Sequence, residues 1–230
     1  MHETSHSTPF HSPTNNSKQS FSGPINPEPF LKRPFDILIA LTGLVLSSPL
    51  WLVLGAAVKL EDGGPIFFTQ ARWGRGGIPF KAYKFRSMAP DIDNVHGVRP
   101  ANEHAARITR IGAIMRKMGL DELPQLLNIL KGDMSMVGPR ALAVDETVDD
   151  GKGGRIRYAD LPAFIPRQAA RPGLTSLATI HVSKYSPVRR KFRYDMVYIR
   201  NCSFLLDMRL ILLSILISFR GKWEHRDSKV

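Results

Sequence analysis

The run from Ile37 to Val58 limits this chain most: 22 consecutive residues carry no charged side chain. An apolar stretch of about 20 residues matches the hydrocarbon thickness of a bilayer, and a helix buried in a soluble core rarely stays uncharged that long. The segment therefore reads as a membrane helix, but a straight crossing fits it poorly. Ser47-Ser48-Pro49 stands at its middle, where proline withholds a backbone donor and kinks a helix. Lys32 and Arg33 precede the run and Lys59 follows it. Basic residues favour the cytoplasmic side, so a straight span would strand one basic end. A helix broken at Ser48-Pro49, dipping in and returning, keeps both ends on the cytoplasmic face. The Ser47 and Ser48 hydroxyls are then at hand for the freed backbone groups. We assign residues 30–60 to such a re-entrant membrane helix, with a straight span and a buried soluble helix as the alternatives.

Residues 1–29 are rich in Ser, Pro, Asn and His without an apolar period, the composition of a disordered tail. His2, His6 and His11 read as solvated rather than metal-binding. The apolar run starts too late and is too long for a secretory signal. Residues 61–222 form a domain on the cytosolic face, and 223–230 a polar tail. Pro65–Gln70 and Phe80–Phe85 read as two strands about a turn at Gly74–Gly77. Apolar residues at helical spacing mark a helix over 102–118 that Gly119 can stop. Asp121 can cap a second helix, with Pro124 in its first turn and Leu123, Leu126, Leu127 and Leu130 on its buried face. Residues 145–170 read as a surface loop. In Leu205–Phe219, Asp207 and Arg209 leave ten uncharged residues, too few to cross a bilayer, so this helix is interfacial or docked on the core. The expected fold is α+β and helix-dominated, with a small β-hairpin or sheet, a re-entrant membrane helix hairpin and interfacial amphipathic helices.

The chain has 32 Lys and Arg against 20 Asp and Glu, a net charge of +12. That surplus points to polyanionic partners: nucleic acid, anionic lipid or a phosphorylated substrate. No helix-turn-helix, zinc-finger or RNA-recognition signature is present, which disfavours nucleic acid. There is no phosphate-binding glycine fingerprint and no Walker lysine. A single cysteine, Cys202, excludes an internal disulfide framework and a multi-cysteine zinc site. Beside a membrane segment, the basic blocks at 70–118 and 152–200 suit anionic phospholipids and a nucleotide. Asp121 and Glu122 stand together at a helix start, where the helix dipole favours an ionised carboxylate and also draws phosphate. Such a carboxylate can hold Mg²⁺ or attack phosphorus. The plain alternative is that Asp121 caps the helix and Glu122 complements its dipole. Gly138-Pro139 delivers Arg140 on a rigid lead, suited to bidentate phosphate contact, and Arg171-Pro172-Gly173 repeats the theme.

Seven blocks then stand in order: Lys32-Arg33-Pro34-Phe35-Asp36; Ser48-Pro49; Gly64 to Arg72; Tyr83-Lys84-Phe85-Arg86-Ser87-Met88; Leu120 to Leu126; Gly132 to Arg140; and Arg171-Pro172-Gly173-Leu174-Thr175. Over residues 31–222 they resemble the monotopic bacterial phosphoglycosyl transferases, the bacterial sugar transferase family, in its minimal form. The resemblance implies transfer of a sugar phosphate from a UDP-sugar to undecaprenyl phosphate with release of UMP, at the cytoplasmic face of the bacterial inner membrane. It also implies a start to surface or exopolysaccharide assembly. Asp121 would be the nucleophile that carries a covalent phosphosugar, and Glu122 its metal-binding or acid/base partner, with Mg²⁺ held by the two. Lys84, Arg86, Arg116, Gln125, Arg140 and Arg171 would contact phosphate and nucleotide. The family commonly has Pro-Arg-Pro where this chain has Pro139-Arg140-Ala141, and Ser176-Leu177-Ala178-Thr179 replaces a common Gly-Leu-Ala-Gln pattern. Two alternatives stay open: a non-catalytic basic module that binds lipid or nucleic acid at the membrane, and a transferase using Asp121 as general base. The oligomeric state is open too, a homodimer included.

Overall fold

The computed structural model describes residues 28–89, 107–149, 154–161, 164–183 and 186–223. The tail over 1–27 with its three histidines, the start of the 102–118 segment and residues 224–230 lie outside the described residues.

Helix α1 (Lys32–Asp62) contains the whole apolar run. The sequence leads one to expect a break at Ser48-Pro49, but the helical assignment continues through Pro49. A local repair accounts for this. Proline cannot donate to the Val45 carbonyl one turn back, and the Ser48 hydroxyl donates to it instead, at 2.8 Å. Ser47 Oγ accepts from the Trp51 indole at 3.0 Å. Leu38, Leu41, Val45, Leu46, Leu52 and Val53 of this helix are exposed. The opposite side is anchored to the domain at both ends.

The anchors explain the first block. Lys32 is only 5% exposed, so it is not a free basic flank. Its ammonium donates to Asp207 at 2.6 Å, to the Val137 carbonyl at 2.9 Å and to Tyr198 at 3.2 Å. Asp36 accepts from the Met136 amide at 3.0 Å. The Arg33 guanidinium donates to the Ile129 and Leu130 carbonyls at 2.7 and 3.1 Å. At the other end, Asp62 pairs with Arg86, and Glu61 accepts from the Arg110 amide at 2.6 Å.

The expected hairpin is present, shifted by a few residues: β1 (Phe67–Trp73) pairs antiparallel with β2 (Pro79–Phe85). The connecting turn holds Gly76 and Gly77 at φ 70° and 74°. Helix α2 (Arg110–Met118) is capped by Thr109, whose hydroxyl accepts from the Gly112 amide at 3.0 Å. Helix α3 (Gln125–Lys131) ends at Gly132, φ 95°. Leu126 and Ile129 form its buried face, with Leu123 and Leu130 partly buried, while Leu127, expected inside, is 38% exposed. Asn128, fully buried, stitches α3 to β2: its side-chain carbonyl accepts from the Tyr83 amide at 3.0 Å, and its amide donates to the Lys81 carbonyl at 2.8 Å and to Asp133 at 3.0 Å.

Strands β3 (Ser135–Val137), β4 (Thr147–Asp149), β5 (Arg155–Arg157) and β6 (Gly173–Thr175) are short, as are α4 (Phe164–Arg167) and α5 (Leu177–His181). Strands β4 and β5 pair within the stretch expected to be loop. Strands β3 and β6 pair in parallel and bring two distant sequence blocks together. A Cβ on Gly138 would fall 2.2 Å from the Arg171 carbonyl, and one on Gly173 would fall 2.1 Å from the Gly138 nitrogen. Only glycine permits that approach. Helices α6 (Val188–Asn201) and α7 (Phe204–Phe219) complete the core. In α7, Asp207, Leu210, Ile211 and Ile217 are buried, while Leu205, Leu212, Ile215, Leu216 and Phe219 are exposed. It is a docked helix that keeps an outward apolar face.

Candidate active site

Asp121 and Glu122 share one 3₁₀ turn, Leu120–Glu122, between α2 and α3. Gly119 opens that turn in the left-handed region, φ 73°. A Cβ there would approach the Trp223 indole nitrogen to 2.9 Å. Trp223, expected in a polar tail, instead packs over the turn. Its backbone N–H donates to the Lys117 carbonyl at 3.3 Å and its indole to Ser218 at 2.8 Å. The capping reading of Asp121 does not hold: Pro124 precedes α3 and no side chain caps it.

A cavity of about 750 Å³ opens at this turn. Asp121, Glu122, Lys84, Arg116 and Arg140 all line it, contributed by the turn, β2, α2 and the loop after β3. Lys84 Nζ meets Glu122 Oε1 at 2.5 Å. Asp121 is 8% exposed. Burial, reinforced by the neighbouring Glu122 charge, raises its pKa to about 6 against the pull of Lys84 and Arg116. Burial also pushes Glu122 upward, but Lys84 and Arg140, with help from Arg72, more than offset it and hold Glu122 below the usual carboxylate range. Two adjacent carboxyls thus differ: Glu122 is a fixed anion, and Asp121 ionises only near neutrality.

The other candidate residues lie elsewhere. Arg86, 7% exposed, is engaged by Asp62 and by the Pro65 carbonyl at 2.6 Å, so it ties β2 to the end of α1. Arg171 pairs with Glu28, which also stands 3.6 Å from Arg75. Glu28 falls in the stretch whose composition leads one to expect a disordered tail. Gln125 is buried at the start of α3, and its amide nitrogen has no hydrogen-bond partner among the described residues. Arg86, Gln125 and Arg171 are not among the cavity's walls. Sequence reasoning missed Arg72 as a supporting residue: its guanidinium donates to the Ala141 carbonyl at 2.5 Å and steadies the backbone just after Arg140. Its place in the Gly64-to-Arg72 block was the available signal.

Among the described residues no group of three His, Cys, Asp or Glu could hold a metal. Mg²⁺ does not need one, since it is commonly bound by one or two carboxylates together with substrate phosphates. Asp121 and Glu122, all oxygen donors on one cavity wall, fit that pattern.

The geometry is that of an acid pair set among cations, and sequence comparison places it in a family. The bacterial sugar transferase family matches residues 27–221, and the chain belongs to it. An exopolysaccharide production protein of Rhizobium leguminosarum bv. phaseoli, PSS, is 40% identical over 199 residues, covering 84% of this chain and 97% of that protein. A UDP-glucose:undecaprenyl-phosphate glucose-1-phosphate transferase of Klebsiella pneumoniae is 36% identical over 88% of this chain and 43% of its own length. A UDP-N-acetylgalactosamine-undecaprenyl-phosphate N-acetylgalactosaminephosphotransferase of Aeromonas hydrophila is 37% identical over 84% of this chain and 45% of its own. The chain spans less than half the length of these last two.

Proposed function

We propose that the protein transfers a sugar phosphate from a UDP-sugar to undecaprenyl phosphate, releasing UMP and starting an exopolysaccharide or other surface glycan. The observation that carries this reading is the pairing of a buried, late-ionising Asp121 with Glu122 in a cavity lined by Lys84, Arg116 and Arg140. Ionised Asp121 attacks the phosphorus that bears the sugar. A carboxylate oxygen–phosphorus bond forms, the bond to the UMP oxygen breaks, and the electron pair leaves with UMP. An oxygen of the lipid phosphate then attacks the same phosphorus and restores the Asp121 carboxylate. Both partners are anions, so the three cations lower the repulsion on approach and stabilise the charge that develops. Glu122, held ionised by Lys84, keeps its proton off and so favours the divalent ion that Asp121 and Glu122 would hold. Mg²⁺ bound there would supply further charge neutralisation on the phosphate oxygens.

The membrane part of the reading follows from α1. Both of its ends are bonded to one domain, by Lys32 to Asp207 and by Asp62 to Arg86, while its middle presents an apolar face. We read α1 as entering one leaflet and not crossing, with the domain at the cytoplasmic face of the inner membrane among anionic phospholipids. The test is single-turnover loading with UDP-sugar alone: mass spectrometry should find one sugar phosphate on Asp121, discharged by undecaprenyl phosphate. An adduct on another residue, or turnover with no adduct, refutes the nucleophile assignment.

A further inference from the structure

One part of the cavity lining, here called the lobe, is used by none of the chemistry above. Its walls are Glu146, Tyr158, Arg167, Lys191, Phe192 and Asp195. Asp195 is 1% exposed. Its Oδ2 accepts from Arg167 Nε at 2.7 Å, and the Arg140 backbone N–H also stabilises the carboxylate, but its Oδ1 has no partner of hydrogen-bond geometry among the described residues. A buried carboxylate oxygen without a donor is costly. On a cavity wall, it marks a place where a donor arrives with a ligand. Glu146 brings a second, exposed carboxylate, 3.5 Å from the Tyr158 hydroxyl. Arg167 also donates to the Arg140 carbonyl, which sets this lobe directly beside a phosphate-binding guanidinium.

The chemistry of the lobe selects its occupant. The diphosphate's place is with Lys84, Arg116 and Arg140, because in the lobe Arg167 and Lys191 are offset by the two carboxylates. The carboxylates suit a neutral group rich in O–H donors. A planar base would look for an open aromatic face, but the rings here are engaged with protein. Tyr158 and Phe192 stack at 6.0 Å with 26° between their planes, and the Arg167 guanidinium lies 5.1 Å from the Phe192 centroid. A uracil edge also offers a single N–H, whereas a hexose offers several O–H groups. We propose that this lobe holds the sugar ring of the donor, with Asp195 Oδ1 and Glu146 accepting hydrogen bonds from its hydroxyls beside the Tyr158 hydroxyl. The proposal rests on the transferase reading above and adds the residues that read the sugar.

Asp195→Asn would disturb the buried pair with Arg167, so the test uses Glu146→Gln and Tyr158→Phe, which keep shape and spare that pair. UMP release by the full chain in lipid particles is measured across a panel of UDP-hexoses and UDP-N-acetylhexosamines, together with inhibition by UMP. Both variants should raise KM for the preferred UDP-sugar about tenfold, the cost of one hydrogen bond to a charged or buried group. The kcat/KM ratio between epimers differing at one hydroxyl should fall toward one, with UMP inhibition unchanged. Equal weakening of UMP inhibition would assign the lobe to the nucleoside and overturn the proposal. So would an unchanged KM and an unchanged epimer ratio in both variants. Wild-type protein releasing no UMP from any UDP-sugar overturns the transferase reading itself, and the proposal with it; that outcome is visible without either variant.

Discussion

Asp121 occupies a place that resists its charge. The folded carboxyl titrates near 6 against 3.8 for the free side chain. Between those values the folded state keeps a proton that the unfolded state has lost. Ionising the native protein therefore costs stability that is fully felt above about pH 6 and absent below 3.8. Asp121→Asn removes that cost, so its Tm at pH 7.5 should equal or exceed that of the wild type while loading of the sugar phosphate disappears. A Tm lowered by several degrees would mean that the carboxylate is structural. The same titration sets the pH profile of the proposed nucleophile. Single-turnover loading should rise through about pH 6 and level off above it. A rate flat from pH 5 to 8 would rule out an attacking carboxylate with this environment. Lys84→Met should slow loading and shift that profile upward, since it removes a cation that draws Asp121 down.

At the scale of elements, what the sequence could tell depended on how local the cause was. The β1–β2 hairpin and the stop at Gly119 follow from residues within a few positions of one another, and they were legible. The acid pair was legible too, because its two members are adjacent. Arg86 and Arg171 were not: they look like phosphate ligands until Asp62 and Glu28, 24 and 143 residues away, close on them. Lys32 likewise reads as a membrane-flanking cation until Asp207 is in place. The β4–β5 pair was hidden because a polar, glycine-rich stretch carries no alternating pattern. Asn128 shows what such distant partners do for the site. Its side chain satisfies backbone groups of Tyr83 and Lys81, and so holds the strand that carries Lys84 over the acid pair. Asn128→Ala leaves those partly buried groups unpaired, at a cost of about 1–3 kcal/mol. Equilibrium denaturation in detergent should record a lower midpoint with an unchanged slope, and an unaltered midpoint would deny it this role.

At the scale of the whole molecule, the apolar faces of α1 and α7 and a net charge of +12 are what the proposed seat on an anionic membrane surface requires. If α1 stays within one leaflet, cysteines placed at Phe30 and at Gly63 in a Cys202→Ser background share one fate. Neither should react with an impermeant thiol reagent in intact cells, and both should react once the inner membrane is opened. Labelling of only one in intact cells would require a crossing helix. The Lys32–Asp207 contact has a bearing on how the chain is made. Its two halves are 175 residues apart, and the acid leaves the ribosome about 9 to 35 seconds after the lysine at ordinary synthesis rates. During that interval a membrane-seeking helix carries an ammonium without its carboxylate. On the proposed membrane reading, the segment that reaches the lipid first is therefore among the last to be locked into its final place, and a chain cut short before α7 would be left holding a charge that its own missing end was to neutralise.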